Sequence, residues 1–357
     1  MVPEGPFRTW YEQADQLRRH AGACLDASGW AAPRTPFCSV FTRPCLTLRR
    51  YGDAAADGRA PILIVPAPLK SPSIWDIAPW ASAVRRLLTS GSQVYLAGWT
   101  APGEKERAFG LDDYAHRMIQ ECLDAIRSET RQSRAILIGH SLGGTCSALY
   151  STLHSDRVAG LVLLGAPLHF GADVGAFGRL LALAPRNGML AKTSGNVPGS
   201  YLNAGCAAAS PANFVVGRWL DWFGSLSMPE TAWTHMLVAR WTLDETPLPQ
   251  RLFAEIVDDL YRNDRFMRDK LIVGGHLVSP TRMIAPLLTV VDRRCRVAPP
   301  ESILPFHNTV PSVDRHLLWY KGDTGVCLQH VGMLVGTNAH HKLWPRIVDW
   351  IRRRQRE

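Results

Sequence analysis

Short apolar runs alternate with longer segments of helical period through the first half of the chain. "APILIVPAP", "SQVYLAGW", "RAILIG" and "VAGLVLLGAP" are aliphatic and bounded by proline, glycine or polar residues. Runs of this kind predict strands buried on both faces. Between them, "WDIAPWASAVRRLLTSG", "GLDDYAHRMIQECLDAIRSE" and "GGTCSALYSTLHSD" place apolar residues at helical spacing, the first with a glycine stop. Residues 1–58 read as an amphipathic helix in "MVPEGPFRTWYEQADQLRRH", followed by a strand pair in "SVFTRPCLTLRRYG". Strands alternating with helices predict an α/β domain with a mostly parallel sheet and right-handed crossovers. The alternation breaks from about Phe170 to Lys270, where the chain is helical, rich in Trp and Met, and interrupted by Gly and Pro. "MIAPLLTVV", "HLLWYKG" and the helix "WPRIVDWIRRRQ" then restore the pattern. The expected organisation is an N-terminal helix and strand extension (1–58), a core in two pieces (59–169 and 271–357) and a helical cap inserted at 170–270. Two independent domains are the alternative.

Composition narrows the class of protein. Of 357 residues, 46% are hydrophobic and 20% charged, which is ordinary for a globular chain. No run approaches the roughly 20 apolar residues of a membrane span, and the N-terminus has no apolar stretch of signal-peptide length. The eight cysteines are scattered, without a CxxC pair or metal-ligand spacing. Reduced thiols, a cytoplasmic location and no metal or organic cofactor are therefore expected. The net charge of +9 suits an anionic ligand such as anionic lipid, coenzyme A phosphates or an acidic carrier. The arginines are nevertheless dispersed, "IRRRQRE" at the C-terminus reads as a solvated helix end, and no nucleic-acid motif is present. A homodimer is compatible with the sequence.

Chemistry enters at "AILIGHSLGGTCSALYS". A strand, then G-x-S-x-G, then a helix is the pattern that holds a serine hydroxyl out on a strained turn. Gly139 and Gly143 are expected where a Cβ would clash, Ser141 is the expected nucleophile, and the Leu142 N–H is an expected oxyanion donor. The plain alternative is a structural glycine-rich turn. A serine hydroxyl needs a base and a group that orients the base, here in the chain order Ser, acid, His. His330, between the last strand and the last helix, is the expected base. His20, His116, His140, His340 and His341 have structural explanations on helix faces, in the turn or at the last helix. Asp292 directly follows its strand and is the expected acid, with Asp314, Asp323 and Asp173 as alternatives. For each of them a solvated loop carboxylate is the competing role.

Several linked segments resemble the polyhydroxyalkanoate synthase family, especially its class III catalytic subunit. They are "PILIVPAPLKSPSIWDIAP", "VYLAGWTAPGEKERAFGLDDYAHRMIQECLDAIR", "HSDRVAGLVLLGAPLHF", "LIVGGHLVSPTRMIAPLLTVV" and "QHVGMLVG…WPRIVDWI", in that family's order. The resemblance implies an α/β-hydrolase fold with a mobile helical cap, and acyl-enzyme chemistry on hydroxyacyl thioesters or polyesters. It places Ser141 at the nucleophile, His330 at the base and the Leu69 N–H in a second oxyanion position. Two departures stand out. The family carries cysteine at the nucleophile, where this chain has Ser141. Counting back without gaps from Pro299 and Pro300 in "DRRCRVAPP" also brings Cys295, not Asp292, to the acid position. The expectation is that this loop bends back so that Asp292 reaches His330.

A serine ester intermediate is typical of hydrolysis, so the expected function is a serine esterase, thioesterase or depolymerase acting on hydroxyacyl esters, thioesters or short polyesters. One alternative is an acyltransferase of the synthase type, using acyl-CoA or carrier-bound acyl groups. Another is a catalytically weak partner or granule-associated subunit. The Trp-rich "FVVGRWLDWFGSLSMPETAW" fits either an acyl tunnel or the cap's own core.

Overall fold

Each of the apolar runs becomes a strand of one eight-stranded sheet. The computed structural model describes residues 6–31, 34–53, 58–171, 174–183 and 195–355. The sheet strands are β1 (Phe37–Arg43), β2 (Leu46–Tyr51), β3 (Ile62–Val65), β4 (Val94–Trp99), β5 (Ala135–His140), β6 (Val158–Leu164), β7 (Leu287–Asp292) and β8 (Arg315–Tyr320). Their spatial order is β1-β2-β4-β3-β5-β6-β7-β8. Only β2 runs antiparallel to its neighbours; from β4 to β8 every pairing is parallel. Every residue of β3, β5 and β6 is buried, because helices cover both faces.

Strand alternation divides the core in two. Leu63, Leu137 and Leu161 face α3 (Met118–Thr130) and α4 (Leu142–Leu153), packing with Ile119, Leu123 and Leu149. Ile62, Ile64, Ile136 and Ile138 face the other way. They pack with α2 (Ala83–Thr89), whose Val84 and Leu87 are buried, and with Trp344 and Ile347 of the last helix.

One segment departs from its expected conformation. "WDIAPWASAVRRLLTSG" is helical only from Ala83. Before that, Asp76–Ala78 pairs antiparallel with Ala81–Ser82. The buried Asp76 carboxylate holds this turn by accepting from the Thr35 N–H (2.6 Å), the Thr35 hydroxyl (3.0 Å) and the Ser82 hydroxyl (2.6 Å). Pro79 further disfavours helix at Ala78. Ser82 caps the helix by accepting from the Arg85 N–H at 2.9 Å.

Between β6 and β7 the chain forms α5 (Gly175–Leu183), α6 (Gly199–Ala209), α7 (Gly217–Ser225), α8 (Pro229–Trp241) and α9 (Gln250–Glu255). A hairpin, Leu271–Val273 with His276–Val278, leads back towards the sheet. The N-terminal helix α1 (Pro6–Leu25) lies against these inserted helices. Its buried Asp15 caps α6, accepting from the Gly199 N–H (3.1 Å), the Ser200 N–H (2.6 Å) and the Ser200 hydroxyl (2.5 Å). Arg18 donates to the Thr242 carbonyl at 2.5 Å, and Arg240 pairs with Asp26 at 2.6 Å. Asp15→Ala strands these donors and is expected to cost about 1–2 kcal/mol, read as a lower denaturant midpoint.

The chain ends with α10 (Pro300–Thr309), α11 (Gln329–Val335) and α12 (Trp344–Arg354) around β8.

Candidate active site

β5 ends at His140 and α4 begins at Leu142, which leaves Ser141 alone in the turn with φ 54° and ψ −133°. A non-glycine residue held there stores strain of roughly 1–3 kcal/mol. The surroundings explain why it is held. A Cβ on Gly139 would collide with the backbone of Gly144, and one on Gly143 with the carbonyl of Val65 and with Pro66. The Ser141 N–H donates to the Leu164 carbonyl at 3.1 Å, and the Thr145 hydroxyl donates to the Pro167 carbonyl at 2.7 Å. These contacts fix the turn between β3 and β6.

Leu142 is the first residue of α4, so its N–H has no acceptor within the helix. Leu69 lies on the loop after β3. That loop is pinned by the Trp99 indole donating to the Pro66 carbonyl (2.6 Å), the Trp241 indole donating to the Ser71 carbonyl (2.8 Å) and the Thr246 N–H donating to the Leu69 carbonyl (3.1 Å). Leu69, Ser141, Leu142 and His330 all line one cavity of about 650 Å3. Trp75, Phe177, Tyr201, Phe214, Trp241 and Tyr261 give that cavity an apolar wall.

His330 is the second residue of α11. Its Nε2 is shielded from solvent and has no hydrogen-bond partner among the described residues, so Ser141 and Nε2 share the cavity without a direct bond. Its carbonyl accepts from His140 Nε2 at 2.8 Å, and the two imidazole rings lie 4.6 Å apart. Burial lowers the pKa of His140 to about 4. Burial first, and His140 second, push that of His330 well below the ordinary imidazole value. His330 is therefore neutral in this arrangement, as a base must be.

The expected contact between Asp292 and His330 is not formed. Cys295 Sγ faces His330 Nδ1 at 3.3 Å. Asp292 is held at the end of β7 in register with Tyr320, and its Oδ1 accepts from the Arg294 N–H at 2.8 Å. This local turn carries Arg293 and Arg294 past the strand end and delivers Cys295 to the imidazole. Asp292 Oδ2 is buried without a hydrogen-bond partner among the described residues, and burial raises the carboxyl pKa. The folded state thus binds a proton more tightly than the unfolded one, so this group lowers stability as pH rises above the unfolded carboxylate range. Asp292→Asn is expected to stabilise the protein at neutral pH, with the gain shrinking on acidification, and to leave turnover nearly unchanged. Thermal melts against pH and a parallel rate assay check both.

The other carboxylates are also accounted for. Asp323 accepts from the Tyr320 hydroxyl and from the N–H groups of Asn338 (2.7 Å) and Ala339 (3.1 Å). Asp314 pairs with Arg354, and with His316 at 2.8 Å, at the start of β8, whereas Ser141 lies at the opposite, C-terminal ends of the strands. Asp173 lies outside the described residues.

The buried pair beside the loop of Leu69 has no local sequence signature. Lys70 Nζ donates to Glu245 at 2.5 Å and lies 5.2 Å from the Trp241 ring centre. Burial lowers the Lys70 pKa while Glu245 opposes the shift, and Arg18 reaches the same carboxylate at 3.3 Å. The Trp-rich segment does not follow either expected role throughout. Phe214 lines the cavity and Trp222 packs on His235, with ring centres 5.2 Å apart, whereas Trp219 and Phe223 are 64% and 65% exposed. No group of three metal-ligating side chains occurs among the described residues, and none of the described helices is long and apolar enough to cross a membrane.

A family model described as the alpha/beta hydrolase fold matches residues 60–194. The chain is 29% identical to the poly(3-hydroxyalkanoate) polymerase subunit PhaC of Haloferax mediterranei, over 97% of this chain and 70% of that protein. It is 27% identical to the subunit of the same name from Allochromatium vinosum, over 90% and 89% of the two chains. A monoacylglycerol lipase of Paleococcus ferrophilus superposes with a TM-score of 0.56 at 17% identity, covering 87% of this chain and 99% of the lipase, a likeness of fold alone. The strand order, the elbow at Ser141 and these relatives agree: the chain is an α/β-hydrolase-fold protein homologous, over most of its length, to polyhydroxyalkanoate polymerase subunits.

Proposed function

We propose that the protein is an acyltransferase of the polyhydroxyalkanoate-polymerase type that carries the growing acyl group on Ser141. One observation carries this most: Ser141 sits in a strained turn at the wall of an apolar cavity it shares with a neutral His330. The similarity to polymerase subunits favours transfer over the hydrolysis expected from a serine nucleophile.

His330 Nε2 takes the Ser141 proton as the oxygen adds to the thioester carbonyl of an acyl-CoA or acyl carrier. The Leu142 and Leu69 N–H groups stabilise the oxyanion. Collapse of the tetrahedral adduct expels the thiolate, which recovers the proton from His330 and leaves a serine ester. Moving an acyl group from sulfur to oxygen is downhill and drives loading. The hydroxyl of a second 3-hydroxyacyl thioester then gives its proton to His330 and attacks the ester, Ser141 is reprotonated as the acyl group departs, and the extended thioester reloads Ser141 by the first step. The inserted helices α5 to α9 act as the cap that keeps water from competing at this second step. Hydrolysis is the second outcome, supported by the serine itself, since water attacks a serine ester by the same route.

The discriminating assay supplies 3-hydroxyacyl-CoA and follows thiol release, free acid and oligomeric ester together. Ester growth in step with thiol release supports transfer. Free acid equal to thiol would assign a hydrolase, and no thiol release would remove both.

A further inference from the structure

We propose that Cys295 is the positioning partner of His330: its sulfur accepts the Nδ1 proton and so leaves the Nε2 lone pair directed at Ser141. This rests on the assignment of Ser141 and His330 made above and adds the third member of the set. Four observations support it. Cys295 Sγ lies 3.3 Å from Nδ1, within the reach of a sulfur hydrogen bond. The sulfur also receives the Ala298 N–H at 3.3 Å, so the loop presents it as an acceptor. The thiol is only 2% exposed and packs with Val291, Ala298 and Ile303, which fixes its rotamer. On the other side of the ring, Nε2 is shielded and unpartnered at the cavity. Nδ1 is therefore the only ring nitrogen with a protein partner among the described residues.

The titratable groups facing His330 are His140 from the end of β5 and Cys295 from the loop after β7. Ser141 shares the cavity. Arg294 stops at the Gln329 side chain, 3.5 Å away, and Asp323 is engaged with Tyr320, Asn338 and Ala339. No carboxylate contacts the imidazole among the described residues. Burial pushes the Cys295 thiol up to about 11, so the sulfur is neutral at physiological pH. A neutral acceptor can select the tautomer, but it cannot stabilise the imidazolium as a carboxylate does. The chain thus has orientation at this position without charge. No bond to sulfur forms or breaks in the cycle.

The test compares the wild-type protein with Cys295→Asp, Cys295→Ser and Cys295→Ala. The second-order rate of Ser141 labelling by a fluorophosphonate is measured across pH, and thermal melts confirm folding. Cys295→Asp is expected to accelerate labelling by roughly 10²–10⁴-fold and to move the acid limb of the pH profile upward, because an adjacent carboxylate favours protonated His330. Cys295→Ser keeps an acceptor and most of the rate. Cys295→Ala loses roughly ten- to a hundredfold, as loss of an orienting partner does at metal-bound histidines. A purely space-filling sulfur predicts no change in rate or profile for Cys295→Ala, and that result, or a folded Cys295→Asp without acceleration, would overturn the proposal. Nitrogen NMR of labelled histidine gives an independent answer should the aspartate variant not fold. A His330 protonated at Nδ1 in the wild type supports the assignment, and one protonated at Nε2 overturns it. Absence of labelling in the wild type as well would instead sink the assignment of Ser141.

Discussion

Ser141→Ala is expected to lower turnover by at least about 10⁴-fold and to abolish covalent labelling while leaving the fold intact. In the proposed cycle the hydroxyl is the atom that adds to the carbonyl, and neither Leu142 nor Leu69 can supply another nucleophile. The backbone argument separates loss of chemistry from loss of structure. The turn is held by the Ser141 main chain, through its N–H to Leu164 and through the close approach of Gly139 to Gly144. Alanine carries the same Cβ in the same strained conformation, so no new clash arises. The measurement is thiol release from acyl-CoA beside a thermal melt. An unchanged melt with turnover lost assigns the hydroxyl, whereas retained turnover would move the nucleophile elsewhere, with the buried thiols the first to examine.

His330→Gln is expected to cost roughly 10³–10⁴-fold, because His330 Nε2 is the base of the proposed cycle and stands unpartnered at the cavity among the described residues. His140 is close, but its Nε2 is spent on the His330 carbonyl and burial holds it neutral. The pH profile carries a further expectation. A base must be unprotonated, and the His330 pKa lies well below its ordinary value of 6.5. The wild-type kcat/KM is therefore expected to stay level as pH falls through that value and to decline only in more acidic solution. The residual rate of His330→Gln should lack that limb. An acid limb at or above the ordinary imidazole value in the wild type would mean that a negative charge reaches the ring, and Asp292 would have to be reconsidered.

The placement of Ser141 in its turn and of His330 at the cavity was legible because each sits in a local pattern with a single structural consequence. A strand, a glycine-flanked serine and a helix make one kind of turn, and a histidine between the last strand and the last helix has one place to point. Leu69 was found through its family resemblance, and the structure lines the cavity with it. The acid position was harder, because two rules disagreed. The end of the strand pointed to Asp292, and the count back from Pro299 and Pro300 pointed to Cys295. The geometry follows the count. Backbone register set by the proline turn decides which side chain meets the imidazole, and the chemistry of the residue does not. The coupling of α1 to the inserted helices had no local signature, since Asp15 with Ser200 and Arg240 with Asp26 are brought together only by the fold. The outward Trp219 and Phe223 were equally hidden, because helical period shows that a face is apolar and not what it faces.

The central claim is that Ser141 carries the acyl group. Intact-protein mass spectrometry after brief exposure to 3-hydroxyacyl-CoA, followed by peptide mapping, tests it most directly. The account predicts one added hydroxyacyl mass on the peptide containing Ser141, growing by further hydroxyacyl units with time and absent from Ser141→Ala. An adduct on Cys295 or another thiol, or an adduct that persists in Ser141→Ala, would contradict it.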